Sequence, residues 1–272
     1  MSPPRILIVA GSDSGGGAGI QADIKTVTML GGFAMTAITA LTAQNTIGVQ
    51  AVHPVPAEMV LRQIDSVCED IGVDAVKIGM IGSAATAAAL AERLARLEGV
   101  PIVFDPVMVT TSGSALADAA TIAAFERLAA IATVTTPNLP ELAALSGREI
   151  ATAEALEAAA VDYAATVGAA ILAKGGHLAE GPLTDLIADP RGAVRRWTSE
   201  RIDTRHAHGT GCTLSSALAT GLGRGLSLAD AVSQARDYVR ACLLAAPGFG
   251  HGHGPMDHAL GRIPYEDIHR KE

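Results

Sequence analysis

The chain has 272 residues and a formal net charge of −8, because 28 acidic residues outnumber 20 basic ones. This acidic surplus argues against broad electrostatic binding of nucleic acid or of an anionic membrane. Apolar residues make up 49% of the chain and aromatic residues only 3%, which excludes a disordered protein and predicts a core of small aliphatic side chains.

Short aliphatic segments that end in glycine, proline or a polar residue predict six strands in chain order. They are residues 6–10, 37–43, 75–78, 102–104, 134–136 and 170–173. Alanine- and leucine-rich segments between them have the three- and four-residue apolar spacing of helices. Helices are therefore predicted at residues 57–71, 83–97, 117–131 and 152–167, and a further helix is predicted to begin at Ile20 or Gln21.

This alternation predicts parallel strands joined by helical crossovers, and strands that are apolar on both faces indicate helices on both sides of the sheet. Segments 183–189 and 193–199 flank a turn sequence and predict an antiparallel hairpin, followed by helices at 212–224 and 228–245 and a Gly/His-rich tail at 248–258. We expect an α/β protein, a three-layer α/β/α sandwich with a mostly parallel central sheet and an antiparallel edge hairpin. One domain should span residues 1–272.

The three cysteines, Cys68, Cys212 and Cys242, are too few and too scattered for a disulfide framework or a paired zinc motif, which favours a reducing compartment. The N-terminal MSPPR runs directly into ILIVA without the pattern of a signal peptide. The weakly polar stretch 78–91 is too short and too interrupted to span a membrane. We expect a cytoplasmic protein that binds neither membrane nor nucleic acid.

The first glycine-rich segment, residues 11–19, follows a predicted strand and precedes a predicted helix. Glycines let backbone amides approach a ligand closely, so this segment, with Gly11, Ser12 and Asp23, predicts a substrate site. Residues 17–22 match the dinucleotide pattern G-x-G-x-x-A, but no acidic residue near position 42 could hold a ribose, and no Gly-Lys-Ser/Thr sequence completes a P-loop. A flexible connector is the alternative interpretation.

The second glycine-rich segment, residues 208–213, precedes the apolar helical run 214–222. Free amides at that helix N-terminus, those of Gly209 and Gly211 among them, predict an anion hole. The same position is expected to lower the pKa of Cys212 and to make the thiolate a base or a hydrogen-bond acceptor for a substrate hydroxyl. A small buried hydrophobe is the alternative for a lone cysteine, and a redox role lacks a partner cysteine nearby in the sequence.

Three charged residues follow other predicted strands. Asp105 and Glu141 carry carboxylates that can bind Mg²⁺ directly or through water, and Lys174 can place a positive charge on phosphate oxygens. The ordinary alternatives are a turn aspartate before Pro106, helix capping by Asn138 with Glu141, and a solvated loop lysine. Because open parallel sheets bind ligands beyond the carboxyl ends of their strands, the combination of these groups with two glycine-rich sites favours phosphoryl transfer.

Seven motifs in chain order resemble those of the hydroxymethylpyrimidine/phosphomethylpyrimidine kinase family of the ribokinase-like superfamily, and they cover essentially the whole chain. The motifs are the segment 10–23, Gln44-Asn45-Thr46, Lys77-Ile78-Gly79-Met80, Asp105-Pro106-Val107-Met108, Asn138-x-x-Glu141, Lys174-Gly175-Gly176-His177 and Gly209-Thr210-Gly211-Cys212. The resemblance implies ATP-dependent phosphorylation of 4-amino-5-hydroxymethyl-2-methylpyrimidine to its monophosphate and then to the diphosphate, in thiamine biosynthesis.

The resemblance also implies roles for individual residues. Gln44 would pair with the aminopyrimidine edge, and Ala18, Met80 and Val107 would line the same pocket. The amides of residues 209–212 would receive the transferring charge. ATP and Mg²⁺ would be bound by Lys174, Asn138, Glu141, Thr210 and Asp105, with Asp105 and Glu141 serving the metal.

Most ribokinase-like sugar kinases have an aspartate base where this chain has Cys212. A cysteine is tolerable because phosphoryl transfer can pass through a loose transition state, so Cys212 either removes the proton, orients the hydroxyl or fills space. Two other functions stay open: a pyridoxine or pyridoxal kinase of the same fold, and a non-catalytic pyrimidine-binding sensor, against which the retained polar set argues. We also expect a homodimer, and a mobile lid at residues 110–115.

Overall fold

The computed structural model describes residues 2–109, 116–177 and 182–261, and in those residues nine strands form one sheet. In chain order the strands are β1 (Arg5–Asp13), β2 (Phe33–Gln44), β3 (Val49–Pro54), β4 (Ala75–Ile78), β5 (Ile102–Phe104), β6 (Val134–Thr135), β7 (Ala170–Ala173), β8 (Leu183–Ala188) and β9 (Val194–Ser199). Their order across the sheet is β3-β2-β1-β4-β5-β6-β7-β8-β9. The six central strands, β2, β1, β4, β5, β6 and β7, are parallel to one another. The edge strands β3, β8 and β9 pair antiparallel with their neighbours.

The helices cover both faces of this sheet. They are α1 (Gly19–Met29), α2 (Ala57–Asp70), α3 (Ala84–Leu94), α4 (Ala119–Ile131), α5 (Leu139–Ser146), α6 (Ala153–Val167), α7 (Thr210–Gly223) and α8 (Leu228–Leu244). One apolar cluster packs α2 to α6 against the sheet, and a second packs α1, α7 and α8 against the opposite face.

The central strand β1 shows how the sequence builds these layers. Successive strand residues point to opposite faces, so Leu7 and Val9 enter the cluster under α2 to α6, while Ile6, Ile8 and Ala10 enter the cluster under α1, α7 and α8. All five side chains are fully buried. The predicted three-layer sandwich is therefore confirmed.

The two edges of the sheet differ in how well the sequence predicts them. The hairpin expected after residue 173 is confirmed as β8 and β9, which pair antiparallel. The sequence does not predict β3, which pairs antiparallel with β2 at the other edge. All residues of β3 after Val49 are exposed, so this strand carries no buried face and hence no apolar alternation.

Some predicted boundaries also differ from the observed ones. β1 continues to Asp13 and β2 spans Phe33–Gln44, because backbone pairing extends both strands beyond their apolar segments. α1 begins at Gly19 and α7 at Thr210, each earlier than predicted. Residues 110–115, predicted to form a lid, lie outside the described residues. No helix within the described ranges combines the length and apolarity that a membrane crossing requires.

Candidate active site

The carboxyl ends of parallel strands lie at one edge of a sheet, where open α/β folds bind their ligands. Gln44 ends β2, Asp105 directly follows β5 and Lys174 directly follows β7. Both glycine-rich segments lie at this edge as well, since one begins in the last three residues of β1 and Gly211 lies close to Asp105 and Lys174. The fold thus brings polar groups from distant parts of the chain into one region.

The two glycine-rich segments pack backbone against backbone. Gly209 precedes α7 with φ +85°, and a Cβ atom there would collide with the carbonyl oxygen of Gly17. Gly19, at φ +55°, would collide in the same way with the carbonyl of Gly11, while Ala18 caps α1. Only glycine fits these two contacts, because a left-handed φ strains other residues and the approach leaves no room for a side chain. The first amides of α7 are consequently placed beside the loop before α1.

An ion pair lies against the first turn of α7. Lys174 Nζ lies 3.0 Å from Asp105 Oδ1, and Thr136 Oγ1 donates to the same oxygen at 3.0 Å. A Cβ atom on Gly211 would lie 3.3 Å from both Lys174 Nζ and Asp105 Oδ2. Burial by itself would lower the pKa of Lys174, but Asp105 and Glu141 outweigh it and raise that pKa. Lys174 therefore stays protonated next to the helix amides.

Glu141 caps α5 and also belongs to this charged group. The Glu141 amide donates to Asn138 Oδ1 at 2.9 Å, and the Asn138 amide donates to Glu141 Oε2 at 2.8 Å, which forms a reciprocal capping box. Burial raises the pKa of Glu141 to about 7, with Lys174 opposing the rise and Asp105 adding to it. The capping alternative is thus observed, and it holds the carboxylate near Lys174 and Asp105.

A second ion pair is fully buried near Cys212. Lys77 Nζ, on β4, lies 2.8 Å from Asp23 Oδ2 on α1, and both side chains are 0% exposed. Ser216 Oγ, on α7, donates to Asp23 Oδ1 at 2.6 Å. Burial alone would lower the pKa of Lys77, but Asp23, Cys212 and Asp105 outweigh it and raise that pKa. Asp23 is therefore hydrogen-bonded within the core and ties three elements together.

The prediction of a lowered Cys212 pKa is wrong. The residue as a whole is half-buried, yet burial of the thiol raises its pKa to about 11; Lys77 opposes this rise, whereas Asp23 and Asp105 add to it. A helix N-terminus stabilises an anion by at most about 2 kcal/mol, whereas desolvation and two nearby carboxylates favour the neutral thiol. At neutral pH Cys212 is a neutral thiol.

A further polar group lies where β1 and β2 end. The two ends of the Gln44 amide lie 3.2 Å from Thr42 Oγ1 and 3.2 Å from His208 Nε2. Ser12 Oγ accepts a hydrogen bond from Gln21 Nε2 at 2.8 Å. Thr42 in turn donates to the Ser12 carbonyl at 2.9 Å, so Gln44 is linked through Thr42 to the end of β1 and directly to His208, two residues before α7.

The remaining predicted residues surround these groups. Met80 Sδ packs against Gly11, where a Cβ atom would come within 3.0 Å of the sulfur. The Val107 amide donates to the Asp105 carbonyl at 2.9 Å. Thr210 is the first residue of α7, and its hydroxyl donates to a backbone carbonyl at 2.6 Å.

Sequence reasoning includes Lys77, Asp13 and His208 in its motifs but assigns no individual role to any of them. Asp13 accepts hydrogen bonds from the amides of Gly15 and Ala18, each at 2.8 Å, and lies 3.0 Å from His208 Nε2. One signal for Lys77 is its place inside a strand whose four residues are all buried. The partner of His208 is 195 residues away in the sequence, so no local pattern reveals their contact.

Comparison with known proteins agrees with this geometry. The family described as Phosphomethylpyrimidine kinase matches residues 13–257. The hydroxymethylpyrimidine/phosphomethylpyrimidine kinase of Rhizobium meliloti is 50% identical over 256 residues, which cover 93% of this chain and 96% of the relative. The thiamine biosynthesis bifunctional protein ThiED of Geobacter sulfurreducens is 45% identical over 96% of this chain, and the aligned part is 54% of that longer relative.

A solved structure shows the same fold. Bacillus subtilis pyridoxal kinase, determined as an ADP complex, superposes with a TM-score of 0.85 at 32% identity, over 95% of this chain and 98% of that one. The predicted ribokinase-like fold is confirmed. Because the family match extends over most of the chain and the Rhizobium relative is aligned almost end to end, this chain belongs to the phosphomethylpyrimidine kinase family.

Proposed function

We propose that this protein transfers the γ-phosphoryl group of ATP to the hydroxymethyl group of 4-amino-5-hydroxymethyl-2-methylpyrimidine, and a second phosphoryl group to the monophosphate. The observation that carries the proposal is the Lys174–Asp105 ion pair against the first turn of α7, with Gln44 linked to the residue before that turn. A cation and helix amides that face one region suit phosphoryl transfer. The names of the relatives and the ADP complex of the structural neighbour support the choice of acceptor and nucleotide.

The residues around the first turn of α7 would have different roles in phosphoryl transfer. Lys174 would bind phosphate oxygens, and the amides of the first turn of α7 would stabilise charge as the bond to the leaving oxygen lengthens. Asp105 holds the ammonium in place, so little reorganisation is needed during the reaction. The neutral Cys212 thiol would orient the acceptor hydroxyl rather than deprotonate it, since a loose transition state needs little proton removal before transfer.

The carboxylates of Asp105 and Glu141 are suitable ligands for a Mg²⁺ ion. This ion is commonly held by one or two carboxylates together with substrate phosphates. The pKa of Glu141, raised to about 7, indicates a buried anion that nearby positive charge stabilises incompletely, and a cation would stabilise it further. When bound, the ion would neutralise phosphate charge, while Asn138 keeps Glu141 oriented through the capping box.

Phosphorylation of pyridoxal or pyridoxine is the second candidate, because the Bacillus neighbour is a pyridoxal kinase. The Gln44 amide offers an acceptor and a donor side by side, which matches a ring nitrogen next to an exocyclic amine. Pyridoxine lacks that amine, so the pyrimidine fits this group better. A non-catalytic sensor would not require the combination of Lys174, Asp105 and Glu141.

A coupled assay of ADP release tests the proposal, with hydroxymethylpyrimidine, its monophosphate and pyridoxine as separate acceptors. We expect the two pyrimidines to have higher kcat/KM than pyridoxine, and Lys174→Ala to abolish most ADP release with each. A higher kcat/KM for pyridoxine would assign the chain as a pyridoxine kinase. Binding of the pyrimidine by calorimetry without ADP release would assign it as a sensor.

We further propose that the chain forms one domain and acts as a homodimer in the cytoplasm. Leu41 and Val52, on opposite faces of the β2–β3 edge, and Ile47, in the turn between the strands, are 47%, 43% and 67% exposed, and a second copy that packs around this edge would cover them. Sedimentation measurements should give the mass of two chains, and Val52→Lys should shift it toward one chain.

A further inference from the structure

The neighbours of Gln44 determine which way its amide faces. Gln44 Nε2 lies 3.2 Å from His208 Nε2, and Gln44 Oε1 lies 3.2 Å from Thr42 Oγ1. His208 Nε2 is also 3.0 Å from Asp13 Oδ2, and Thr42 Oγ1 donates to the Ser12 carbonyl at 2.9 Å. The oxygen and NH₂ ends of an amide have nearly the same shape, so these partners decide its orientation.

Asp13 fixes the proton on the His208 ring. Its carboxylate accepts the backbone N–H groups of Gly15, Gly17 and Ala18 at 2.8, 3.1 and 2.8 Å. Burial alone would raise the pKa of Asp13, but the hydrogen bonds from His208 and from these amides outweigh it and lower that pKa. A carboxylate accepts and cannot donate, so His208 Nε2 carries a proton and directs it toward Asp13.

A protonated ring nitrogen has no lone pair left, so His208 Nε2 cannot accept a hydrogen bond from Gln44. These partners therefore require the Gln44 amide turned by 180°, with its oxygen toward His208, where it can share the same proton. Thr42 leads to the same orientation independently. Its single hydroxyl proton goes to the Ser12 carbonyl, so Thr42 Oγ1 can only accept from Gln44, and the end that faces it must be the NH₂ group.

We propose that the Asp13–His208 pair and Thr42 fix the direction of the Gln44 amide and thereby determine which way round the aminopyrimidine ring binds. This inference rests on the proposed function. After His208 and Thr42 are satisfied, one lone pair remains on Oε1 and one N–H remains on Nε2. Gln44 then presents an acceptor on the His208 side and a donor on the Thr42 side.

The direction of the ring matters because its substituents stand in a fixed order. The ring nitrogen, the carbon with the amine and the carbon with the hydroxymethyl group are consecutive. With the amine on the His208 side, the hydroxymethyl group is directed past His208, toward the Gly209–Gly211 part of the chain that opens α7. The reversed ring would direct the hydroxymethyl group toward β2, away from Lys174. His208 and Asp13 are thus positioning residues that act through Gln44.

The test compares His208→Leu, which removes the proton donor, with His208→Gln, whose amide Nε2 retains one. Each is assayed with hydroxymethylpyrimidine and with the analogue that lacks the 4-amino group. We expect His208→Leu to lower kcat/KM for hydroxymethylpyrimidine about 10- to 100-fold, as for a buried polar group without its partner. His208→Gln should recover most of that loss. Neither variant should change kcat/KM for the analogue, which has no amine to direct, or KM for ATP.

A double-mutant cycle with Gln44→Leu provides a second readout. If His208 acts through Gln44, the double variant should be no slower than Gln44→Leu alone. Equal losses for both acceptors, equal effects of the leucine and glutamine variants, or additive losses in the cycle would each overturn the inference.

A third variant, Thr42→Val, keeps the inference testable if the His208→Leu protein does not fold. Thr42→Val removes the group that accepts from the Gln44 NH₂ end and leaves Asp13 and His208 in place. It should lower kcat/KM for hydroxymethylpyrimidine but not for the des-amino analogue, and equal effects on both would count against the inference. The proposed function fails separately, if wild-type protein phosphorylates neither pyrimidine.

Discussion

Single residues of this site owe their charge state to neighbours that are far away in the sequence. Lys174 and Lys77 are both buried among carboxylates, and in each case the carboxylates outweigh desolvation and raise the lysine pKa. Cys212 has the opposite balance, because burial, Asp23 and Asp105 outweigh the nearby ammonium of Lys77 and raise the thiol pKa. The site therefore contains two permanent cations and a neutral thiol at physiological pH.

Lys174→Ala should lower kcat by about 100-fold or more, because the ammonium binds most strongly to the charge that develops during transfer. KM for the pyrimidine should change little. Steady-state kinetics measures both values, and the melting temperature shows whether the variant is folded. Arg127→Ala is the control, since Arg127 is an exposed cation on α4, away from the strand ends. A folded Lys174→Ala protein with normal turnover would remove Lys174 from the mechanism.

Cys212→Ser should remain clearly more active than Cys212→Ala, because serine still orients a hydroxyl whereas alanine does not. With a thiol pKa of about 11, the wild-type rate should show no thiol titration between about pH 7 and 9. Rate measurements over that range check both expectations. Two equally slow variants, together with a wild-type rate that follows thiolate formation, would instead identify Cys212 as the base.

At the scale of elements, the short helix α5 links backbone capping to the charge of the site. Its N-terminal capping box uses the side chain of Glu141, and the same carboxylate interacts with Lys174 and Asp105. α5 also packs onto the core through Leu142, which is fully buried. The capping of α5 thus places the Glu141 carboxylate at the strand ends, where its charge is buried.

Glu141→Gln should change how stability depends on pH. The Glu141 pKa is raised from about 4.5 to about 7 in the folded state, so the folded protein binds more protons than the unfolded chain between these values, and stability falls as pH rises through them. Glutamine retains the capping acceptor and lacks this titration. Relative to wild type, the variant should gain up to about 3 kcal/mol in free energy of unfolding above pH 7, while kcat falls.

Urea denaturation at several pH values measures this difference. Glu154→Gln is the control, because Glu154 is exposed in the first turn of α6. A stability difference between Glu141→Gln and wild type that stays constant from pH 4.5 to 8 would contradict the assignment of a buried, titrating carboxylate.

At the scale of the whole molecule, the C-terminal tail joins parts of the site that the sheet alone does not connect. The Gly254 carbonyl accepts from the His208 amide at 3.2 Å, and the His253 amide donates to the Thr46 carbonyl at 2.8 Å. His258 Nε2 lies 2.9 Å from the hydroxyl of Thr213 on α7. The tail thereby contacts both the β2–β3 turn and helix α7.

The tail should make the protein less stable in mild acid. Burial lowers the pKa of His258 to about 4, with Lys25 adding to the effect and Asp257 opposing it. The folded protein therefore binds fewer protons than the unfolded chain between pH about 6.5 and 4, and stability is lost as pH falls through that window. His258→Gln keeps a donor to Thr213 and should remove up to about 3 kcal/mol of this loss. If wild type and His258→Gln lose the same free energy of unfolding between pH 6.5 and 4 in urea denaturation, His258 is not the source of the acid sensitivity.

The sequence by itself determined the alternation of strands and helices apart from β3, the hairpin and the strand-end position of the polar residues. These features depend on local periodicity and on the rule that parallel strands align their carboxyl ends. The sequence also determined the family, because its motifs are short and contiguous. Asn138 and Glu141 were predictable as a cap for the same reason, since the two residues are three positions apart.

Only the tertiary structure decided which side chains meet and in what charge state. Asp23 and Lys77 are 54 residues apart in the sequence, and Gln44 and His208 are 164 apart. Their contacts depend on how the helices pack across both faces of the sheet. The Cys212 pKa likewise reflects a balance between desolvation and surrounding charges that no local pattern contains, which is why the helix-terminus argument alone led to the wrong sign.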